Sequence, residues 1–339
     1  MKILTVAIPC YNSEAYMRKA IDHVVCGGED VEVLIIDDGS KDGTLAVARE
    51  YEERFPGIVR AIHQENKGHG GAVNTGLREA TGLYYKVCDS DDWLDYDSFM
   101  KAISILKDLT EKGAEVDAFI SNYIYDKVGA KHKKTMHYTG YFPEERIFTW
   151  DEIKKPLAAD KYVLMHSLIY RTALLREAGL NLPEHTFYVD NLVVFQPMVY
   201  VKTLYYLNMT MYHYYIGRAD QSVQEQIMIK RLDQQLLVTR MMVDEYRSDL
   251  VASKKQLEFL VHYMSIMMTV SSALLLRKGD AEALAAKDQL WDYLKNKDTV
   301  LYRKIRNGLL GRACNLKGAA GRKIMVTCYS VAQKLYGFN

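Results

Sequence analysis

The chain has 339 residues, of which 49% are hydrophobic and 26% charged, a composition typical of an ordinary globular protein that is long for one compact domain. Its formal net charge of +1 argues against an electrostatic nucleic-acid binder, so no nucleic-acid partner is expected. The five scattered cysteines lack Cys-x-x-Cys spacing, which disfavours a disulfide framework or a zinc site and is typical of a cytoplasmic protein.

The first hundred residues alternate between short apolar runs and helical patterns. Strands are predicted at residues 3–8, 31–36, 58–63 and 83–88, and helices at 13–25, 42–55 and 98–112. A Gly-rich loop at residues 66–71 leads into a further helix that ends at residue 80. The first apolar run ends in Pro9 without a small-residue cleavage site, so a strand is predicted there and not a signal peptide. This alternation predicts parallel βαβ units, with helices on both faces of one sheet.

The next part of the chain continues this pattern less regularly. A strand is predicted at residues 116–125, a hairpin or loop at 127–141, a short helix at 150–155, a strand at 163–170 and a helix at 172–178. A helical pattern follows Asp190, and two further strands are predicted at 203–207 and 211–216. We therefore expect the α/β domain to comprise residues 1–222.

Residues 223–339 have a different pattern, which predicts long helices at about 227–242, 257–276 and 281–294. Residues 259–276 carry no acidic residue, Lys or Arg but include His262 and several hydroxyl side chains, which favours a buried helix over a membrane span. After Asp298 no Asp or Glu occurs, whereas Lys and Arg alternate with apolar residues. This pattern suits an interfacial helix and predicts peripheral contact with the inner membrane face; a solvated helix face and a homo-oligomer contact are the alternatives.

Polar clusters follow three of the predicted strands, at residues 9–14, 37–42 and 89–92. Because ligands of an open parallel sheet bind at the carboxyl ends of its strands, we expect these clusters to converge at one edge. The crowded carboxylates Asp89, Asp91 and Asp92 would repel one another, which predicts a bound divalent cation such as Mg²⁺. The alternative is helix capping, a role that Asp95 and Asp97 could fill alone.

Two further polar loops each allow two interpretations. Gly68 and Gly70 begin a dinucleotide fingerprint, but Val73 occupies the third glycine position, which disfavours a Rossmann dehydrogenase. This loop can still present backbone N–H groups, with Lys67 or His69, to a phosphate, or it can be a simple turn. Likewise, residues 37–40 can form a simple turn, or they can offer a carboxylate to a uracil N–H or a ribose hydroxyl while Tyr11 stacks on the base.

Four motifs together resemble the glycosyltransferase family 2 enzymes, which have the GT-A fold. They are Pro9-Cys10-Tyr11-Asn12, Ile36-Asp37-Asp38-Gly39-Ser40-x-Asp42-Gly43-Thr44, Asn66-Lys67-Gly68 followed by Asn74-x-Gly76-Leu77, and Asp89-Ser90-Asp91-Asp92. The resemblance covers residues 1 to about 100, and more loosely extends to about 222. It implies an α/β GT-A domain with a mixed, mainly parallel sheet between helices, followed here by an α-helical C-terminal extension.

The resemblance also implies an activity and a set of site residues. Family members transfer a sugar, with inversion, from a nucleotide-sugar donor that is usually a UDP-sugar. By position, Pro9, Tyr11 and Asp38 would hold the base, Asp89 and Asp91 would hold the ribose and a Mn²⁺ or Mg²⁺ ion, and Asp92 is the other candidate metal ligand. The same motifs place Asn12, Lys67, Gly68 and Ser90 at the donor, and Tyr214-Tyr215-x-x-Arg218-x-x-x-Ser222 resembles the loop that closes over the donor diphosphate.

Family members carry a Glu-Asp pair whose Asp is the general base, and Val189-Asp190 stands at the matching place. Asp190 is thus the expected base, with a helix N-cap as the alternative role. The absent Gln-x-x-Arg-Trp signature implies addition of one sugar at a time, to a saccharide or lipid-linked acceptor in cell-surface glycan synthesis. Two other functions stay open: a sugar-nucleotide nucleotidyltransferase, although residues 9–12 lack the Gly-rich loop it needs, and a non-catalytic sugar-nucleotide-binding scaffold, which Val189 suggests.

Overall fold

The chain forms two compact units. The computed structural model describes residues 1–127, 129, 133–158, 161–216 and 225–336, with side chains up to residue 331. Unit 1 comprises Met1–Lys155 and Val163–Gly217, and unit 2 comprises Pro156–Tyr162 and Arg218–Asn339. The predicted border between residues 222 and 223 lies outside the described residues. Pro156–Tyr162 belong to unit 2 although they stand between the two parts of unit 1 in the sequence, and this was not predicted.

Unit 1 is built on a ten-stranded mixed sheet. Its strands are β1 (Leu4–Cys10), β2 (Val31–Asp38), β3 (Val59–Gln64), β4 (Tyr84–Val87), β5 (Trp93–Leu94), β6 (Ala118–Lys127), β7 (Lys134–Met136), β8 (Ile147–Thr149), β9 (Leu168–Arg171) and β10 (Thr203–Ile216). Their spatial order is β3-β2-β1-β4-β9-β6-β10-β5, with β7 paired to β6 and β8 to β10. The four longest pairings, β1 with β2 and β4, β2 with β3 and β6 with β10, are parallel, so the predicted mixed, mainly parallel sheet is confirmed.

Helices alternate with the strands of unit 1, and the first three follow the parallel strands β1, β2 and β3, as the alternating pattern predicts. They are α1 (Met17–Val25), α2 (Thr44–Arg54), α3 (Gly68–Glu79), α4 (Tyr96–Glu111), α5 (Thr172–Glu177) and α6 (Asp190–Met198). In α1 the buried residues Met17, Ala20, Ile21 and Val24 recur at helical spacing and form the face that packs inward. Strands β1 and β2 are buried along their whole length, which explains why their sequences contain nearly continuous apolar runs.

Three predictions for the second half of unit 1 are wrong. Residues 165–167 form a 3₁₀ turn and not a strand, because the Ser167 N–H and hydroxyl both bond the Leu164 carbonyl, at 3.0 and 2.7 Å. The helix predicted at 150–155 is only a 3₁₀ turn, Trp150–Glu152, because the backbone becomes extended at Ile153. The two strands predicted at 203–207 and 211–216 are one strand, β10, whose register shifts between Leu207 and Tyr212 absorb the interruption.

Unit 2 contains the predicted C-terminal helices. They are α7 (Glu225–Lys230), α8 (Leu232–Glu245), α9 (Lys254–Lys278), α10 (Ala281–Lys297), α11 (Thr299–Asn307), α12 (Leu309–Cys314) and α13 (Gly318–Tyr336). By length and hydropathy α9 could span a membrane, but 67% of its apolar window is buried. It packs against α8, α10 and α12 and so forms the core of unit 2.

Candidate active site

The loops that follow β1, β2 and β4 meet at one edge of the sheet. The Ser13 and Ser90 hydroxyls lie 2.9 Å apart, which joins the β1 loop to the β4 loop. The Asn12 N–H donates to the Ser40 hydroxyl at 3.0 Å, and the Ser13 N–H donates to the Thr44 hydroxyl at 2.7 Å, which joins the β1 and β2 loops. The predicted convergence of the three polar clusters is confirmed.

The acidic turn after β4 rests on one tyrosine of β10. The Tyr212 hydroxyl donates to Asp92 Oδ2 at 2.6 Å and accepts from the Asp89 N–H at 3.1 Å. The other carboxylate oxygen of Asp92 accepts from the Tyr215 N–H at 2.7 Å. These bonds fix the turn to the edge formed by β10, 120 residues further along the chain.

The pKa values of two carboxylates in this turn, Asp89 and Asp92, are shifted in opposite directions. Burial raises the pKa of Asp92 well above its usual value, and the neighbouring Asp91 and Asp89 carboxylates raise it further. Burial alone would also raise the pKa of Asp89, but the His69 imidazole, whose Nε2 lies 2.9 Å from Asp89 Oδ1, outweighs burial and lowers it. Such crowding is relieved when a cation binds between the carboxylates.

His166 lies next to the acidic turn and was not predicted as a site residue. Its side chain is 4% exposed, and Nε2 lies 3.8 Å from Asp89 Oδ2 and 3.9 Å from Asp92 Oδ2. Neither ring nitrogen has a hydrogen-bond partner among the residues described, and the ring stacks on Tyr214 with centroids 4.3 Å apart. Burial lowers the pKa of His166 to about 4, so the imidazole is neutral near neutral pH and offers a lone pair.

Asp89, Asp92 and His166 together fit a divalent metal ion. One ligand atom from each residue lies within 4.8 Å of the others. An unpartnered buried imidazole beside two carboxylates is costly unless a ligand satisfies it, and neutral imidazole and carboxylate are ligands that Mn²⁺ accepts. Of the predicted metal ligands, Asp92 belongs to this group, whereas Asp91 is not among its three members.

Asp190 is the first residue of α6, and its carboxylate interacts electrostatically with His69 and Asp89. Burial raises its pKa to about 6, although His69 lowers it and Asp89 raises it. Burial would lower the pKa of His69, but the carboxylates of Asp89, Asp190 and Asp91 outweigh burial and raise it. The expected general base and the acidic turn therefore both lie within electrostatic range of the His69 imidazole, which is hydrogen-bonded to Asp89.

Residues 66–71, predicted as a Gly-rich loop before a helix, link Asp38 to the segment that precedes Asp190, and α3 already begins within them, at Gly68. Asp38 Oδ1 accepts hydrogen bonds from the Gln64 amide at 2.7 Å and from the Lys67 N–H at 2.9 Å. The Lys67 carbonyl accepts the His185 N–H at 2.8 Å, and Gly68 adopts φ +73°, where an added Cβ would lie 2.9 Å from His185 Cα. The predicted pair Lys67 and Gly68 thus lies in a tightly packed part of the site.

The other predicted donor residues lie around the β1 loop. Pro9 is within β1, next to Ile36 of β2. Tyr11 is 49% exposed, and Asn12, at φ +50°, accepts from the Lys41 N–H through its side chain. Ser90 is nearly buried against Ser13. Arg218 and Ser222, predicted to close over the diphosphate, lie outside the described residues.

Comparison with known proteins places this site in context. Residues 5–171 match the family model described as Glycosyl transferase family 2. The putative glycosyltransferase EpsH of Bacillus subtilis is 26% identical over 237 residues, which are 63% of this chain and 60% of EpsH. The matched parts of the curated relatives range from 14% to 60% of their lengths, so this chain spans less than two thirds of them.

Solved structures share the fold. The crystal structure of S. aureus TarS 1–349 in complex with UDP-GlcNAc is 18% identical, with a TM-score of 0.69 over 99% of this chain and 92% of that chain. A mannosyltransferase from Pyrobaculum calidifontis, in complex with GDP-Man and Mn²⁺, is 14% identical, with a TM-score of 0.54 over 98% of this chain and 81% of that chain. At these identities the likeness shows the fold alone, and it confirms the predicted GT-A fold.

Proposed function

Since residues 5–171 of this chain belong to glycosyl transferase family 2, we propose that the chain is an inverting, metal-dependent glycosyltransferase. Its donor is a nucleotide sugar, specifically a UDP-sugar, and its acceptor is a saccharide or a lipid-linked sugar of cell-surface glycan synthesis. The observation that carries this proposal is the cluster of Asp89, Asp92 and His166 with ligand atoms within 4.8 Å, whose neighbour His69 also interacts with Asp190.

Donor binding is supported by the geometry of the sheet edge. Tyr11 exposes 49% of its surface beside β1 and can stack on a base. Asp38 Oδ2 accepts no hydrogen bond from any residue that the structure describes, so it is available to a base N–H or a ribose hydroxyl. TarS, which shares the fold, binds UDP-GlcNAc, and this supports a UDP-sugar here.

Asp89, Asp92 and His166 would hold the metal, with Asp91 available to the same ion. When bound, a divalent cation neutralises charge on the departing diphosphate. Mn²⁺ suits the mixed oxygen and imidazole set better than Mg²⁺, which prefers oxygen ligands. The mannosyltransferase with the shared fold contains Mn²⁺, which supports this choice.

Asp190 would act as the general base. Its carboxylate accepts the proton of the acceptor hydroxyl as the hydroxyl oxygen forms a bond to the anomeric carbon. The bond between that carbon and the diphosphate oxygen breaks with its electron pair going to UDP, so the configuration inverts in one displacement. A pKa of about 6 leaves Asp190 ionised at neutral pH while keeping it more basic than an ordinary carboxylate.

Incubation with a panel of UDP-sugars and GDP-mannose, with and without Mn²⁺, tests this proposal. Slow release of UDP from one donor, stimulated by Mn²⁺ and by an added saccharide acceptor, is the expected result. Exchange of pyrophosphate into the donor would instead support the nucleotidyltransferase alternative. Tight donor binding without release under any acceptor condition would support the scaffold.

A further inference from the structure

The end of the chain carries an unusual concentration of positive charge. After Asp298 there are eight Lys and Arg residues and no Asp or Glu. Because the whole chain has a formal net charge of +1, the 298 preceding residues carry a formal net charge of −7. Helices α11 to α13 are therefore a strongly basic segment attached to an acidic remainder.

These positive charges are available to a partner. Seven of them have described side chains, and six of the seven are exposed: Arg303, Lys304, Arg312, Lys317, Arg322 and Lys323. Within the described part of the chain, none of the seven forms an ion pair. An anionic partner could thus contact them without first breaking internal salt bridges.

Exposed apolar side chains are interspersed with the charges. Eleven large hydrophobic residues are exposed among the residues with described side chains, and five of them lie between residues 300 and 331, about a tenth of the chain. They are Val300 (62%), Leu309 (85%), Leu316 (43%), Ile324 (54%) and Val331 (50%). Scattered exposed hydrophobic residues are normal, but a local concentration of them marks an interaction surface.

Helix α13 shows how the two kinds of residue are arranged. Its buried side is formed by Met325 and Tyr329, which are 4% and 7% exposed. Four residues at intervals of four, three and four lie together on a different face, which we call the outer face of α13: Ala320, Ile324, Thr327 and Val331. Lys323 precedes Thr327 by one turn and borders this face.

We propose that α11 to α13 bind an anionic lipid surface, with the outer face of α13 inserted among the headgroups and the cations on the lipid phosphates. Apolar residues bordered by cations are the features of an interfacial helix. A nucleic acid would use the cations but not Ile324 and Val331. A two-fold dimer through the same surface would bring two sets of unpaired cations together, which is unfavourable. This inference does not depend on the proposed transferase activity.

The affinity of the chain for anionic vesicles should depend on the number of Lys and Arg side chains at the membrane surface. Each Lys or Arg near an anionic bilayer contributes about fivefold to binding. The substitution K323E, at the cation that borders the outer face of α13, should therefore weaken binding by about fivefold or more. I324S/V331S removes apolar surface while keeping all charges and should weaken binding by about tenfold.

Flotation of the full-length chain with lipid vesicles tests the proposal. We expect binding to equimolar phosphatidylcholine and phosphatidylglycerol but not to phosphatidylcholine alone, and loss of binding when salt rises from about 0.15 M to about 1 M. A matched control is K101E/K202E, which reverses two exposed lysines of unit 1 and should bind like the wild type. Circular dichroism and thermal unfolding of each variant should match the wild type, since every substituted side chain is exposed.

Three outcomes would overturn the proposal. One is equal binding to neutral and anionic vesicles. The second is wild-type binding by K323E. The third is a wild-type dimer, seen by light scattering, that I324S/V331S dissociates while no form of the protein binds either kind of vesicle.

Discussion

Replacing Asp190 with Asn tests the proposed chemistry most directly. The substitution keeps the shape of the side chain and its place at the start of α6 but removes the group that would accept the proton. General base catalysis typically contributes about 10²- to 10⁴-fold, or about 3–5 kcal/mol of transition-state stabilisation. We expect kcat to fall by that factor while the donor Kd changes little, because Asp190 would contact the acceptor and not the nucleotide.

The pH dependence gives a second measurement on the same residue. Because burial raises the pKa of Asp190 to about 6, the base is protonated and inactive below that pH. The wild-type rate should therefore fall about tenfold per pH unit below about pH 6 and level off above it. His69 lowers the pKa of Asp190, so His69→Gln should move this acid limb to higher pH.

The assay is UDP release with Mn²⁺ and acceptor at saturating donor, measured from pH 5 to 8. Asp97→Asn is the matched control, because Asp97 also lies in the first turn of a helix but is exposed. It should leave both the rate and the pH profile unchanged. Near-wild-type turnover by Asp190→Asn, or an acid limb that stays in place in its residual activity, would contradict the assignment of Asp190 as the base.

Three further substitutions test the metal site and the Gly-rich loop. His166→Leu should abolish the stabilisation by Mn²⁺, which a thermal-shift titration would show as a loss of about 2.7 kcal/mol at a concentration 100 times the wild-type Kd. Asp91→Ala should lose the Mn²⁺-dependent part of UDP binding, so that calorimetry gives the same weak binding with and without the metal; UDP binding that Mn²⁺ still strengthens as in the wild type would argue against a role of Asp91 at the metal. Gly68→Ala should destabilise unit 1 by about 1–2 kcal/mol in urea unfolding, because φ +73° strains an L residue and its Cβ would lie 2.9 Å from His185 Cα. Gly57→Ala, at φ +78° with open space around it, separates the backbone strain from the contact with His185.

Much of the sheet edge could be predicted from the sequence because local patterns determine it. The runs that became β1, β2 and β4 are mostly apolar and buried throughout, and polar turn residues follow each of them. The position of such loops at the carboxyl edge is a general property of parallel sheets. The proximity of the loops that carry Ser13 and Ser90 could therefore be predicted without knowing which distant residues contact each other.

His166 could not be predicted in the same way. It stands alone in an apolar segment, where a histidine is usually a core residue, and its place beside Asp89 depends on residues 77 positions apart in sequence. The 3₁₀ turn at residues 165–167, which contains His166, was predicted as strand. Apolar periodicity does not reveal that the Ser167 hydroxyl donates a hydrogen bond to the Leu164 carbonyl and so favours a turn. A single polar residue inside an otherwise apolar run, which needs a partner once it is buried, is the signal that could have indicated it.

Strand β10 has a consequence for how the protein is made. Tyr212 supplies the hydroxyl that secures both ends of the acidic turn, and β10 pairs with β6 from Leu204 to Ile216. A nascent chain released only as far as residue 200 would hold every acid of the turn but not the residue that fixes them. The proposed ion site should thus form only late in synthesis, after β10 has left the ribosome and paired with β6.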